Sequence, residues 1–118
     1  MDAELESRLE AFRAHCDAVM VAHWERSGYT KHSTAPTHEL DVGEKWAKIF
    51  AIEYGRRGRI VAFIALNDFE NKTIGVVKKG GIYKPASYKL PAKHSRGNLF
   101  LPNFGNCMDN AGNVNYMR

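Results

Sequence analysis

Between Gly81 and Asn98 the chain places four cations (Lys84, Lys89, Lys93, Arg96), one imidazole (His94), two phenols (Tyr83, Tyr88), two hydroxyls (Ser87, Ser95) and one amide (Asn98) within eighteen residues. These groups suit a planar, phosphorylated ligand. A Tyr88 ring can stack on a nucleobase, the cations can make charge-assisted bonds to phosphate, and the Asn98 amide can read a base edge or a ribose hydroxyl. Pro85 and Pro91 restrict the segment and lower the entropy lost when a ligand orders it. The same residues admit a plainer reading, in which Tyr83 and Tyr88 cover one end of the core and the cations face water.

Nothing in the remaining residues demands catalysis. His38-Glu39 opens a zincin-like pattern, but the position where the second histidine belongs is Val42. His32-Ser33-Thr34 matches one half of the paired signature of two-histidine phosphoesterases, and no second copy exists, because His94-Ser95-Arg96 lacks the hydroxyl residue at the required place. There is no nucleophile elbow and no Walker loop. His15 and His23 lie eight apart without a carboxylate or further histidine at metal-ligand spacing, so they read as boundary residues. The two cysteines, Cys16 and Cys107, sit in unlike surroundings and predict reduced thiols, not a disulfide framework or zinc site. No catalytic residue, metal or cofactor is expected, and His94 is the only plausible acid or base.

The elements that must position the candidate site can be read from composition and periodicity. The chain has 118 residues, with 17 Lys and Arg against 13 Asp and Glu and a net charge of +4. That is the size of one domain, residues 1–118, and it leaves no room for a dinucleotide-binding module, barrel or kinase fold. The charge is polarised. Residues 1–28 carry six acids and three bases, whereas residues 71–108 carry seven bases and no acid, a distribution that attracts phosphates. The longest apolar run, Ile60 to Leu66, is far short of a membrane span, and the acidic start is unlike a secretory signal, so a cytosolic protein is expected. Leu5, Leu9, Phe12, Cys16, Val19, Met20 and Trp24 recur at intervals of mostly three and four. They predict an amphipathic helix over residues 3–27 with Gly28 as its stop.

Residues 29–44 read as a loop. Trp46 to Tyr54 and Ile60 to Leu66 read as two strands joined by a turn at Gly55-Arg56-Arg57-Gly58, followed by a polar turn over 67–72, a strand from Thr73 to Val77, a turn over 78–81 and a last short strand, Ile82 to Lys84. Residues 90–97 read as one or two helical turns, with Pro91 at the first position and Gly97 as the stop. The Asn- and Gly-rich tail from Pro102 reads as irregular. The predicted fold class is α+β: an N-terminal amphipathic helix packed on a small antiparallel sheet, with an irregular C-terminal segment containing a short helix.

The run from Ile82 to Phe100, IYKPASYKLPAKHSRGNLF, resembles a widespread family of small bacteriophage proteins with a pattern of the form YK-A-S-W-K-x-P-A-K-x-x-R-G-N-I-F. Gly43 to Ile49 is similar to that family's G-x-K-Y-x-K-I strand, and Tyr116-Met117-Arg118 to its terminal Y-L-R, so the likeness covers roughly residues 39–118. The resemblance extends to the phage anti-Thoeris sponges. These are oligomeric anti-defence proteins that sequester cyclic ADP-ribose isomers made by host TIR enzymes and, in some members, CBASS cyclic oligonucleotides. It implies a cyclic-nucleotide-binding homo-oligomer of the host bacterial cytoplasm that binds without turnover and engages no membrane. An aromatic residue and an asparagine about ten positions apart help hold the ligand in such sponges, and Tyr88 and Asn98 fit that arrangement. Arg96 and Arg118 are the arginines in place for phosphate, with Lys84, Ser87 and Lys93 completing the expected ligand-binding set. Two departures are visible: Tyr88 stands where the commoner pattern has Trp, and the Asp68–Gly81 hairpin is longer than usual. Two readings from other classes compete. One is a basic phage nucleic-acid-binding protein gripping phosphates through Arg56-Arg57-Gly58-Arg59 and Lys78-Lys79, and the other is a phage inhibitor of a host protein.

Overall fold

Asp2 accepts a 2.7 Å hydrogen bond from the Leu5 backbone N–H, the N-cap that starts helix α1, Ala3–Ser27. Gly28, at φ 74°, ends it by donating to the carbonyls of Trp24 and Glu25, so both termini fall where the sequence predicts. A computed structural model describes residues 2–115. Among the described residues seven strands follow the helix: β1 Thr37–Val42, β2 Trp46–Glu53, β3 Arg56–Ala65, β4 Phe69–Asn71, β5 Gly75–Val77, β6 Gly81–Pro85 and β7 Pro91–Asn98. Five form one antiparallel sheet in the order β1-β2-β3-β6-β7, and β4 and β5 form a separate two-stranded sheet. The α+β class is as expected, and no described helix is long and apolar enough to cross a membrane.

The helix buries Leu5, Leu9, Phe12, Cys16 and Met20 against one face of the sheet, where Ala47, Ile49, Ala51, Val61, Ile64 and Ile82 complete the main core. Alternation along β2 sends Trp46, Lys48 and Phe50 to the opposite face, and a second cluster of Phe50, Ile60, Phe63, Val77 and Tyr83 forms there. The β4–β5 hairpin covers part of that second cluster. Trp46 meets Phe63, Phe69 and Tyr83 edge-on at 6.0, 5.4 and 5.3 Å, geometry favoured by the ring quadrupoles.

Four local readings are corrected. Residues 37–42 are not loop but the edge strand β1, anchored through a polar triad: Arg13 donates to Asp17 at 2.7 Å and to the His38 carbonyl at 3.2 Å, and Asp17 lies 2.8 Å from Nδ1 of the buried His38. The turn between β2 and β3 is the two-residue Tyr54-Gly55, both with positive φ, and Arg56 and Arg57 already pair with Glu53 and Ile52 within the sheet. Phe69–Asn71 forms a strand, because the Asn71 side chain accepts from the backbone N–H groups of Thr73 and Ile74 and folds the following residues into a tight turn.

The short helix predicted at 90–97 is instead the edge strand β7. Pro91 and Gly97 suit helix ends, but neighbouring β6 offers a ladder that satisfies the segment's backbone groups, and proline is tolerated at the first residue of an edge strand. The C-terminal helical element is a 3-10 turn at Pro102–Gly105, where Asn103, Phe104 and Asn106 adopt left-handed conformations. The tail then returns to the core through Cys107 and Val114.

Candidate functional site

Strands β6 and β7 form a hairpin whose tip, residues 86–90, is held by its own backbone: the Ala86 and Ser87 N–H groups donate to the Leu90 carbonyl at 2.9 and 3.1 Å. The Ser87 hydroxyl accepts from the N–H groups of Lys89 and Leu90, so the loop is shaped before any ligand arrives. Tyr88 stands at the tip, 62% exposed, with its ring 6.0 Å from Phe50. The Lys48 ammonium lies 5.5 Å from the Tyr88 ring centre and 5.4 Å from that of Phe63, and also donates to the Tyr88 carbonyl at 3.4 Å. These contacts fasten the tip to the sheet through cation–π attraction. A groove of about 320 Å³ runs beside it, lined by Arg59, Ile60, Pro85, Ala86, Ser87 and Tyr88. It combines an aromatic ring, a hydroxyl and Arg59, whose guanidinium donates to the Gly112 carbonyl at 3.4 Å.

Asn98 is at the other end of the same hairpin, opposite Gly81 in the register, whereas Pro91 opposes Pro85 at the tip. With eight residues in β7, the two ends are about 23 Å apart at roughly 3.3 Å per residue. Tyr88 and Asn98 therefore do not share a pocket within one copy of the chain. Around Asn98 a second cleft of about 420 Å³ includes Lys78, Tyr83, Ser95, Arg96 and Leu101.

The other expected ligand-binding residues are placed as follows. The Asn98 amide donates to the Lys79 carbonyl at 3.2 Å and accepts from the Phe100 N–H at 2.9 Å, so it also shapes the chain that leaves β7. Arg96 donates to the Asn115 carbonyl at 2.9 Å and to its near neighbour's carbonyl at His94, which ties it to the tail. Lys84 donates to the Val114 carbonyl at 3.0 Å. Lys93 is exposed on β7, Ser87 lies in the tip groove, and Arg118 lies outside the described residues. Two cations that the reading of the sequence did not assign to the ligand site, Lys48 and Arg59, are the ones the fold brings to Tyr88. Lys48 was legible, since it alternates with Trp46 and Phe50, but the irregular β2–β3 pairing near Phe50 hides the direction of Arg59.

The chain belongs to DUF7717, a family of unknown function. The match covers residues 4–117, so it takes in the helix, both sheets and the tail. No curated protein and no solved structure matches the chain.

Elsewhere the electrostatics favour structure over chemistry. Burial pushes the Cys16 thiol up to about 12 and the Cys107 thiol up to about 11, which keeps both protonated and unreactive. Among the described residues no group of three or more His, Cys, Asp or Glu side chains is arranged to hold a metal. Arg57, central to the basic hairpin, is bound to Glu39 at 2.5 and 3.0 Å and to Asp41 at 3.1 Å, and its guanidinium covers the Phe50 ring. Lys79 is paired with Asp2 at 2.6 Å.

Proposed function

We propose that the protein binds a cyclic nucleotide signal and holds it intact, acting as a phage anti-defence sponge in the bacterial cytoplasm. The observation that carries this reading is the preformed tip, where the exposed Tyr88 ring shares a groove with Arg59 and Ser87. A base stacks on the ring, the hydroxyl adds a polar contact, and a phosphate takes the Arg59 guanidinium in competition with the Gly112 carbonyl, to which it donates at 3.4 Å. No carboxylate, imidazole or thiol lines that groove to activate water, which supports retention without cleavage.

A ligand with two phosphates needs more donors than the tip groove alone supplies, and the Asn98 cleft lies at the far end of the hairpin. A homo-oligomer resolves this, because the tip of one copy then meets the cleft of another and closes a pocket that neither copy has alone. The competing nucleic-acid reading is weakened by Arg57 and Lys79, whose charges are already paired within the chain.

The test is capture and release. Purified protein is mixed with a panel of cyclic ADP-ribose isomers and cyclic oligonucleotides, freed of unbound compound by gel filtration, then denatured and analysed by chromatography. One compound returned unchanged is the expected result. Retention of none, or return of a cleaved product, would overturn the proposal. Retention of polynucleotide that collapses steeply with added salt would favour the nucleic-acid reading instead.

A further inference from the structure

A separate cavity of about 600 Å³ opens where the end of α1, the segment before β1 and the β2–β3 turn converge. Its lining includes Trp24, His32, Ser33, Thr34, Glu53 and Tyr54, and no lysine or arginine. The Trp24 indole N–H is already spent on the Ser33 hydroxyl at 3.1 Å, and Tyr29 and His23 meet the ring at steep angles at 5.1 and 5.9 Å, so the ring is fixed where it lines the cavity. The hydroxyls of Ser33 and Thr34 and the carboxylate of Glu53 offer acceptors. Among the described residues, Glu53 has no ion-pair partner.

Tyr54 supplies an independent observation. It occupies the first position of a two-residue turn at φ 53°, followed by Gly55 at φ 75°. Asparagine, aspartate or glycine suits that left-handed position, and a bulky ring there carries backbone strain. The ring recovers nothing by packing, since Tyr54 is 94% exposed. A strained, solvent-exposed aromatic beside a cavity with a fixed indole and an unpaired carboxylate marks a recognition feature.

We propose that this cavity receives a guanidinium group, which stacks on the aromatic faces of Trp24 and Tyr54 and donates to Glu53 and the neighbouring hydroxyls. A guanidinium is planar, stacks on aromatic rings and presents five donors in a fixed fork, which matches acceptors spread around a wall better than a compact ammonium does. The chemistry is the same whether the group belongs to a free guanidino compound or to an arginine side chain of a partner protein. This site is independent of the tip groove and of the sponge reading.

The experiment follows the indole N–H signal of Trp24 by NMR in the unaltered protein, assigned with Trp24→Phe, during titration with N-acetyl-arginine amide. N-acetyl-citrulline amide, a neutral near-isostere, and N-acetyl-lysine amide are the controls. The arginine compound should shift the signal saturably, the lysine compound less, and the citrulline compound hardly at all. Glu53→Gln should weaken binding by roughly tenfold, as loss of a charge-assisted bond does. Tyr54→Asn should raise Tm by relieving the turn yet weaken binding, a split that a purely structural tyrosine would not produce. A short peptide with one internal arginine that binds more tightly than the free amide assigns a protein partner, and equal binding assigns a small guanidino compound. No saturable shift at millimolar concentration, or equal shifts with arginine and citrulline, would overturn the proposal.

Discussion

Tyr88 and Asn98, ten positions apart in one motif, occupy opposite kinds of position. Tyr88 gives its ring to solvent, so Tyr88→Ala should leave Tm nearly unchanged while weakening nucleotide retention by about 1–3 kcal/mol, the cost of a lost stacking surface. Asn98 joins the Lys79 carbonyl to the Phe100 N–H, so Asn98→Ala should also lower stability, by about 1 kcal/mol for each bond lost, visible as a fall in Tm without any ligand. His38 sets a pH dependence. Its burial lowers its pKa from the ordinary 6.5, the bond to Asp17 opposes this, and Nε2 is left without a partner. Below that ordinary value the unfolded chain takes up a proton that the folded chain resists. Stability should therefore be flat above neutrality and fall as pH drops through about 6.5 toward the lower folded value. Half-buried His15 is shifted in the same direction by burial and adds to the loss. Thermal melts between about pH 7.5 and about pH 5.5 check this, and His38→Asn, which keeps a donor for Asp17, should reduce the slope.

At the scale of elements, the β6–β7 hairpin is held at both ends by contacts remote in sequence. Lys48 clamps the tip, so Lys48→Met, which keeps the apolar stem but loses the ammonium, should speed hydrogen exchange at Lys89 and Leu90 with little change in Tm. At the other end the tail packs directly on β7. A Cβ on Gly97 would lie 2.2 Å from the Phe104 carbonyl oxygen and 2.8 Å from Cys107 Cβ, so Gly97→Ala should cost about 1–3 kcal/mol or more in a denaturant melt. The elements most legible in the sequence were those with long buried stretches. The helix announced itself by its three- and four-residue spacing and both caps, and β3 by its unbroken apolar run. Strands β1, β4 and β7 did not, because edge and hairpin strands are partly exposed on both faces and lose the period-two signal, as the run of intermediate and exposed residues along β7 illustrates.

For the whole molecule, the net charge of +4 conceals an internal accounting in which acids of the N-terminal region and β1 neutralise particular cations: Asp2 with Lys79, Glu39 and Asp41 with Arg57. Light scattering at micromolar concentration should report more than one copy, because the tip groove and the Asn98 cleft lie too far apart to enclose one compact ligand; a monomer that still retains nucleotide would reject the shared pocket. The chain's order of residues by itself determined the long helix, its caps, the α+β class and the concentration of cations and aromatics in one segment, since each depends on neighbours within a few turns or strand steps. Only the tertiary structure decided that the segment is a hairpin with its tyrosine and asparagine at opposite ends, that Arg57 is already paired, and that Lys48 and Arg59 stand beside Tyr88. Those outcomes depend on which distant strand completes a hydrogen-bond ladder and which distant carboxylate or carbonyl captures a cation, and neither is written in local spacing.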